Sequence, residues 1–150
     1  MSPRAAWRLE QLGFVEVYDY STGKIDWIAA GWATEGPGPS EPRVLTAMDR
    51  GVRTCDVDEQ VGAVRRRLGP NITASVVVNS QGIVAGRLEH LDAIDAEDPR
   101  SAGDVMRPGP TTIRPSENLK EARERMAGSR VRELLVTTPD GELLGILRPE

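Results

Sequence analysis

From residue 54 onward, apolar positions fall into short runs whose period alternates between that of a helix and that of a strand. Val61, Val64 and Leu68 recur at helical spacing, behind the cap candidate Asp58 and ahead of Gly69 as the stop. Ser75-Val76-Val77-Val78 then reads as a buried strand. A turn over 79–82 leads to a second strand, Ile83-Val84-Ala85-Gly86-Arg87-Leu88, and a short helix is expected over 89–96.

The same plan returns 58 residues later. Thr54 and Cys55 map onto Thr112 and Ile113, the cap candidate becomes Ser116, and Leu119, Ala122 and Met126 repeat the helical stripe before the strand Glu133-Leu134-Leu135-Val136. The turn at 137–141 is one residue longer, so Gly86 maps onto Gly145 at a shift of 59. Pro139-Asp140-Gly141 supplies a fixed φ followed by residues tolerant of turn geometry. Each copy yields a sheet with an apolar face that must be covered, so two tandem copies are expected to pack sheet against sheet in an α+β fold.

Two breaks divide the chain. Residues 36–42 hold three prolines and two glycines, which disfavour both helix and sheet, and read as a linker. A weaker, polar break over 95–103 separates a first repeat, 43–98, from a second, 101–150, whose terminal helix is absent. All six aromatics (Trp7, Phe14, Tyr18, Tyr20, Trp27, Trp32) lie in front of the linker, so Val, Leu, Ile, Met and Ala must supply the core behind it.

Asp104-Val105-Met106-Arg107-Pro108-Gly109-Pro110, followed by Thr111-Thr112-Ile113, a capped helix, Leu134-Leu135-Val136 and the hairpin into Gly145-Ile146-Leu147, resembles a cystathionine-beta-synthase (CBS) domain. Residues 44–98 resemble a more divergent first member of a tandem CBS pair. The resemblance implies a strand-helix-strand-strand-helix repeat, a Bateman-type regulatory module, a homodimer, and an adenosine-containing ligand (AMP, ATP or S-adenosylmethionine type) in clefts between repeats. It also implies a ligand motif of Gly, then Ser or Thr three residues on, then Asp six residues on, whose carboxylate can accept from both ribose hydroxyls.

Gly86 is followed by Glu89 at the hydroxyl position and Asp92 at the ribose position, so half of that motif is kept. Glu89 disfavours polyphosphates by charge. Gly145 is followed by Arg148, and the Asp position lies beyond Glu150. Candidate ligand contacts are therefore Asp92, Arg53, Thr54, Thr111, Thr112 and Arg148, the middle four being in the loops that enter each first strand.

Residues 3–18 with Asp19, Tyr20 and 23–31 resemble the end of a rhodanese-like domain: a helix, a Gly-Phe turn, a short strand and a last helix carrying Trp27. Trp32 and Ala33 depart from the Leu-Pro common at that point in the family. The catalytic cysteine loop of such a domain precedes this helix, and no cysteine stands there. Cys55 lies beyond the linker with Asp56 beside it, which would raise a thiol pKa, and reads as a small core residue. The front segment is expected to be a non-catalytic appendage whose aromatics pack on the CBS pair or on a partner subunit.

Charge and residue counts narrow the function further. The net charge of −4 divides into three basic and five acidic residues up to residue 40, and sixteen and eighteen after it. No basic face results, so no nucleic-acid partner is expected, and Arg65-Arg66-Arg67 points in three directions on a helix as a solvated face. One cysteine and one histidine give neither a disulfide nor a structural zinc site. No apolar run reaches the roughly 18 residues of a membrane span, and a cytoplasmic setting is the expectation. The chain thus reads as a non-enzymatic sensor with no cofactor beyond an adenine nucleotide ligand. A ligand-free dimerisation scaffold and a degenerate sulfurtransferase stand behind that reading.

Overall fold

The computed structural model describes residues 3–18, 23–33, 35, 41–129 and 131–149; Tyr20 and residues 36–40 of the expected linker lie outside them. The chain divides into two compact units, 1–40 and 41–150.

In the first unit, α1 (Pro3–Gln11) ends where the amides of Leu12, Gly13 and Phe14 bond back to carbonyls of its last turns. α2 (Lys24–Ala29) is closed by Trp27, whose Nε1 donates to the Ala33 carbonyl at 2.9 Å and whose ring meets Trp32 edge-on. The strand expected between the helices is not formed over 14–18: no backbone partner within the described residues pairs with it. Trp7, Leu12, Phe14, Val15 and Tyr18 are exposed, so none of the described residues of their own unit buries them.

The second unit holds two small sheets. α3 (Val44–Ala47) precedes β1 (Thr54–Asp56), α4 (Val61–Leu68), β2 (Ala74–Val78) and β3 (Val84–Glu89). α5 (Ala102–Val105) and β4 (Arg107–Pro108) then lead to β5 (Thr112–Ile113), α6 (Leu119–Ser129), β6 (Leu134–Thr137) and β7 (Leu143–Leu147). β1 runs parallel to β2, and β2–β3 and β3–β4 are antiparallel. β5 runs parallel to β6, which is antiparallel to β7. The parallel pair in each repeat follows from the helix between its strands, which returns the chain to the same end of the sheet.

Three apolar clusters hold this unit. Cys55, Val61, Val64, Val77, Leu88, Leu91 and Ala102 fill the space under the first sheet, and Val44, Ile113, Ala122, Met126, Leu134, Val136 and Leu147 fill that under the second. Val76, Leu135 and Ile146 form the third cluster, where sheet meets sheet as the apolar faces require. The two hairpin tips also pair directly: Val84 N–H donates to the Gly141 carbonyl and Leu143 N–H to that of Gly82, each at 3.0 Å. Both tip glycines hold positive φ (76° and 90°), which a side chain would strain.

Val44 belongs to the core of the second repeat and Ala102 to that of the first, so each opening helix packs on the other repeat. The hydrogen bonds repeat at the same shift. Ala102 and Gly103 N–H donate to the Glu59 and Val57 carbonyls; 58 residues earlier, Val44 and Leu45 N–H donate to those of Glu117 and Pro115. The extended residue after each helix then closes the sheet, Arg107 beside Arg87 and Asp49 beside Ile146.

Three local expectations are corrected. Asp58 caps no helix; its own N–H bonds to Asp56 Oδ1, and α4 begins after Gln60. In the second repeat Asn118, not Ser116, takes the cap, its Oδ1 accepting from the amides of Lys120 and Glu121. In both copies a turn follows the strand (Glu59 N–H to Asp56 O, Glu117 N–H to Arg114 O), which delays the helix by two residues. The helix expected over 89–96 shrinks to a 3₁₀ turn, Leu91–Ala93, entered through His90 in a left-handed conformation.

Candidate functional site

Two clefts flank the sheet–sheet contact of the second unit. The first is lined by Gly51, Val52 and Arg53 from the loop into β1, by residues 71–76, and by Arg87, Glu133, Ile146 and Arg148. The second is lined by Gly109, Pro110 and Thr111 from the loop into β5, by Val131, Glu133 and Leu135, and by Arg87, Glu89, Arg107 and Pro108. They are images under the internal repeat. Gly51, Val52 and Arg53 map onto Gly109, Pro110 and Thr111 at a shift of 58; Ala74, Arg87 and Glu89 map onto Glu133, Ile146 and Arg148 at 59. The extra residue of the second repeat thus lies ahead of β6 and not, as expected, in the turn at 137–141. Their volumes are about 170 Å³ and 330 Å³.

The equivalent positions carry opposite charges. In the first cleft Arg148 Nη1 donates to Asp49 Oδ2 at 2.7 Å; at the matching place in the second, Arg107 Nη1 lies 3.7 Å from Glu89 Oε2. Between the clefts Glu133 accepts from Arg87 Nη2 at 2.6 Å through one oxygen and from Arg148 Nε at 3.2 Å through the other. The Gly51 N–H, and after it the Arg148 guanidinium, hold the Asp49 carboxyl below its usual value. Hydrogen bonds to Asp49 and Glu133 raise Arg148 in turn. Arg53 makes no ion pair among the described residues, although its charge also bears on Asp49.

Of the residues the sequence points to, Arg53 and Arg148 meet in the first cleft and Thr111 lies in the second. Thr54 and Thr112 sit in the parallel strand pairs, opposite Val76 and Leu135. Asp92 is exposed in the 3₁₀ turn, where its backbone carbonyl accepts from Arg65 Nη2, and it lines neither cleft. Sequence reasoning passed over Glu133, Arg87 and Asp49. Superposing the two repeats would have flagged them, since Glu133 faces Ala74, Arg87 faces Ile146 and Asp49 faces Arg107 in that alignment.

The arginine run of α4 is structural. Arg65 donates to the Gly69 carbonyl, Arg66 to the Ala96 carbonyl and to Glu97, and Arg67 to Glu59 and to the Thr54 carbonyl. Each side chain fastens the helix to a different loop. Cys55 is buried in the first core, and burial pushes its thiol up, away from the thiolate that chemistry would need. Among the described residues no three His, Cys, Asp or Glu side chains gather as a metal site, and no helix is long and apolar enough to cross a membrane.

Residues 102–150 match the family model of the CBS domain. No curated protein matches the chain. Among solved structures, the cytosolic domain of the Mg2+ channel MgtE in complex with ATP is 22% identical, covers 71% of this chain and 45% of its own, and superposes with a TM-score of 0.61. CBSX2 in complex with AMP is 24% identical over 71% of this chain and 89% of its own, with a TM-score of 0.58. The cystathionine beta-synthase pair domain of a protein described as a Mg2+ transporter from Shewanella oneidensis MR-1 is 19% identical over 73% and 67%, with a TM-score of 0.61. The chain spans about half the length of the first structures it resembles. Residues 41–150 thus have the α+β fold of a tandem CBS pair, a Bateman-type module.

Proposed function

We propose that the second unit is a non-catalytic regulatory module that binds an adenosine-containing ligand in the first cleft. The observation that carries this reading is the pairing there of an apolar floor (Val52, Ile72, Val76, Ile146) with three arginines, Arg53, Arg87 and Arg148. A purine gains from the apolar surface, and guanidinium groups are suited to a phosphate end. Similar folds crystallised with AMP and with ATP support the ligand class. A cleft of about 170 Å³ is smaller than the roughly 300 Å³ at which ligand pockets begin, so part of the ligand would stay in the mouth and affinity would be modest. Thr111 would serve the second cleft with a hydroxyl, and Asp92 would serve only if a ligand reaches the 3₁₀ turn.

Calorimetry with AMP, ADP, ATP and S-adenosylmethionine tests the reading. Binding that weakens about tenfold in Arg53→Gln is expected, and no heat at millimolar ligand overturns it. Asp92→Ala with unchanged affinity removes that residue from the site.

A second reading has its own observation. Arg87, Arg107 and Arg148 already hold carboxylate partners, the arrangement of a scaffold whose clefts are filled by internal ion pairs. In that case the pair serves homodimerisation alone. The first unit is a remnant of a rhodanese-like domain on this proposal, with α1 and α2 as its last helices. The buried Cys55 gives a sulfurtransferase no nucleophile.

A further inference from the structure

The two clefts share one acidic side chain. Glu133 lines both, and it is held by the two arginines that an incoming anion would seek: Arg87, which also lines both, and Arg148 in the first. Its counterpart in the first repeat is Ala74, which carries no charge. The fold therefore does not need a carboxylate at this place in the repeat. Glu133 and Arg87 are each less than a third exposed, so their pair is weakly screened and competes effectively with a ligand.

We propose that Glu133 sets the charge class of ligand the clefts accept, its carboxylate standing on Arg87 and Arg148 in the position a phosphate group would take. This rests on the reading that the clefts bind a ligand, and it adds what selects that ligand. With Glu133 and Asp49 in place, the three arginines of the first cleft keep one unit of positive charge; in the second, Arg87 and Arg107 are balanced by Glu89 and Glu133. Such clefts favour a nucleoside or a singly phosphorylated ligand over a polyphosphate, because each further phosphate must displace an internal carboxylate.

The test uses the full chain and Glu133→Gln, titrated by calorimetry with pyrophosphate, AMP and adenosine. Pyrophosphate and AMP should bind Glu133→Gln about five- to tenfold more tightly than wild type, with adenosine unchanged within about twofold. Glu133→Ala, which installs the residue of the first repeat, should shift the same way and serves if the Gln variant does not fold. In the wild type, the Arg148 Nε–H resonance should move as pyrophosphate saturates; a resonance that stays put at saturation overturns the proposal. AMP binding equal in both forms overturns the role of Glu133 and leaves the ligand reading standing. Tighter pyrophosphate with no binding of AMP or adenosine upholds Glu133 and overturns the adenosine reading. No binding of any probe to either form overturns both.

Discussion

Gly86 and Gly145 show how a single residue can be legible in position and illegible in role. The sequence places both at the start of a ligand motif, and the structure gives both a packing task. A Cβ on Gly86 would stand 2.5 Å from Met106 Sδ and 2.8 Å from the Arg107 carbonyl, and one on Gly145 would stand 2.8 Å from the Asp49 carbonyl. The neighbour in each case is backbone of the closing residue, which cannot step aside without breaking its bonds to the sheet. Gly86→Ala should therefore cost about 1–3 kcal/mol in urea unfolding while its fold persists. Asp49 carries a second residue-level prediction. Its folded pKa is lowered from 3.8, first by the Gly51 amide and then by Arg148, so its contribution is complete above about pH 3.8 and fades as pH falls through the lowered value. Asp49→Asn should lose that part of the acid-limb slope below about pH 3.8, with the rest of the pH profile unchanged.

Among the elements, strands were the most legible and helix starts the least. Val76-Val77 and Leu134–Val136 are buried β-branched or aliphatic runs, and the strands form there. The caps were misplaced by two residues because Asp58 and Ser116 are good capping types in a turn that precedes the helix. Asn118 does the capping, and Asn118→Ala should destabilise by about 1 kcal/mol, measured as a shift in the urea midpoint with unchanged m-value. The clefts were half legible. Arg53, Thr111 and Arg148 stand where loops enter and strands leave, positions a repeat alignment exposes. The Arg87–Glu133 bond spans 46 residues and joins two repeats, so no local pattern announces it.

At the scale of the whole second unit, the internal repeat was legible from its 58-residue period, but the exchange of opening segments was not. Local periodicity says which residues face a core and not which of two similar cores they face. Val44 is fully buried among Ile113, Met126 and Val136, so Val44→Ala should cost about 2 kcal/mol. Hydrogen exchange in the full chain should show the loss first in α6, β6 and β7, with β1 and β2 protected for longer; a loss confined to the first repeat would contradict the packing.

The exchange also decides what can be moved as a piece. A segment cut at residue 101 and grafted elsewhere would bring α5 and β4 away from the sheet they close, and would leave β7 without Asp49 along its outer side. Its bare edge would be free to recruit a foreign strand, the usual beginning of aggregation. The portable unit of this protein is the interlocked stretch from 41 onward, whose two halves cannot be parted without opening both sheets.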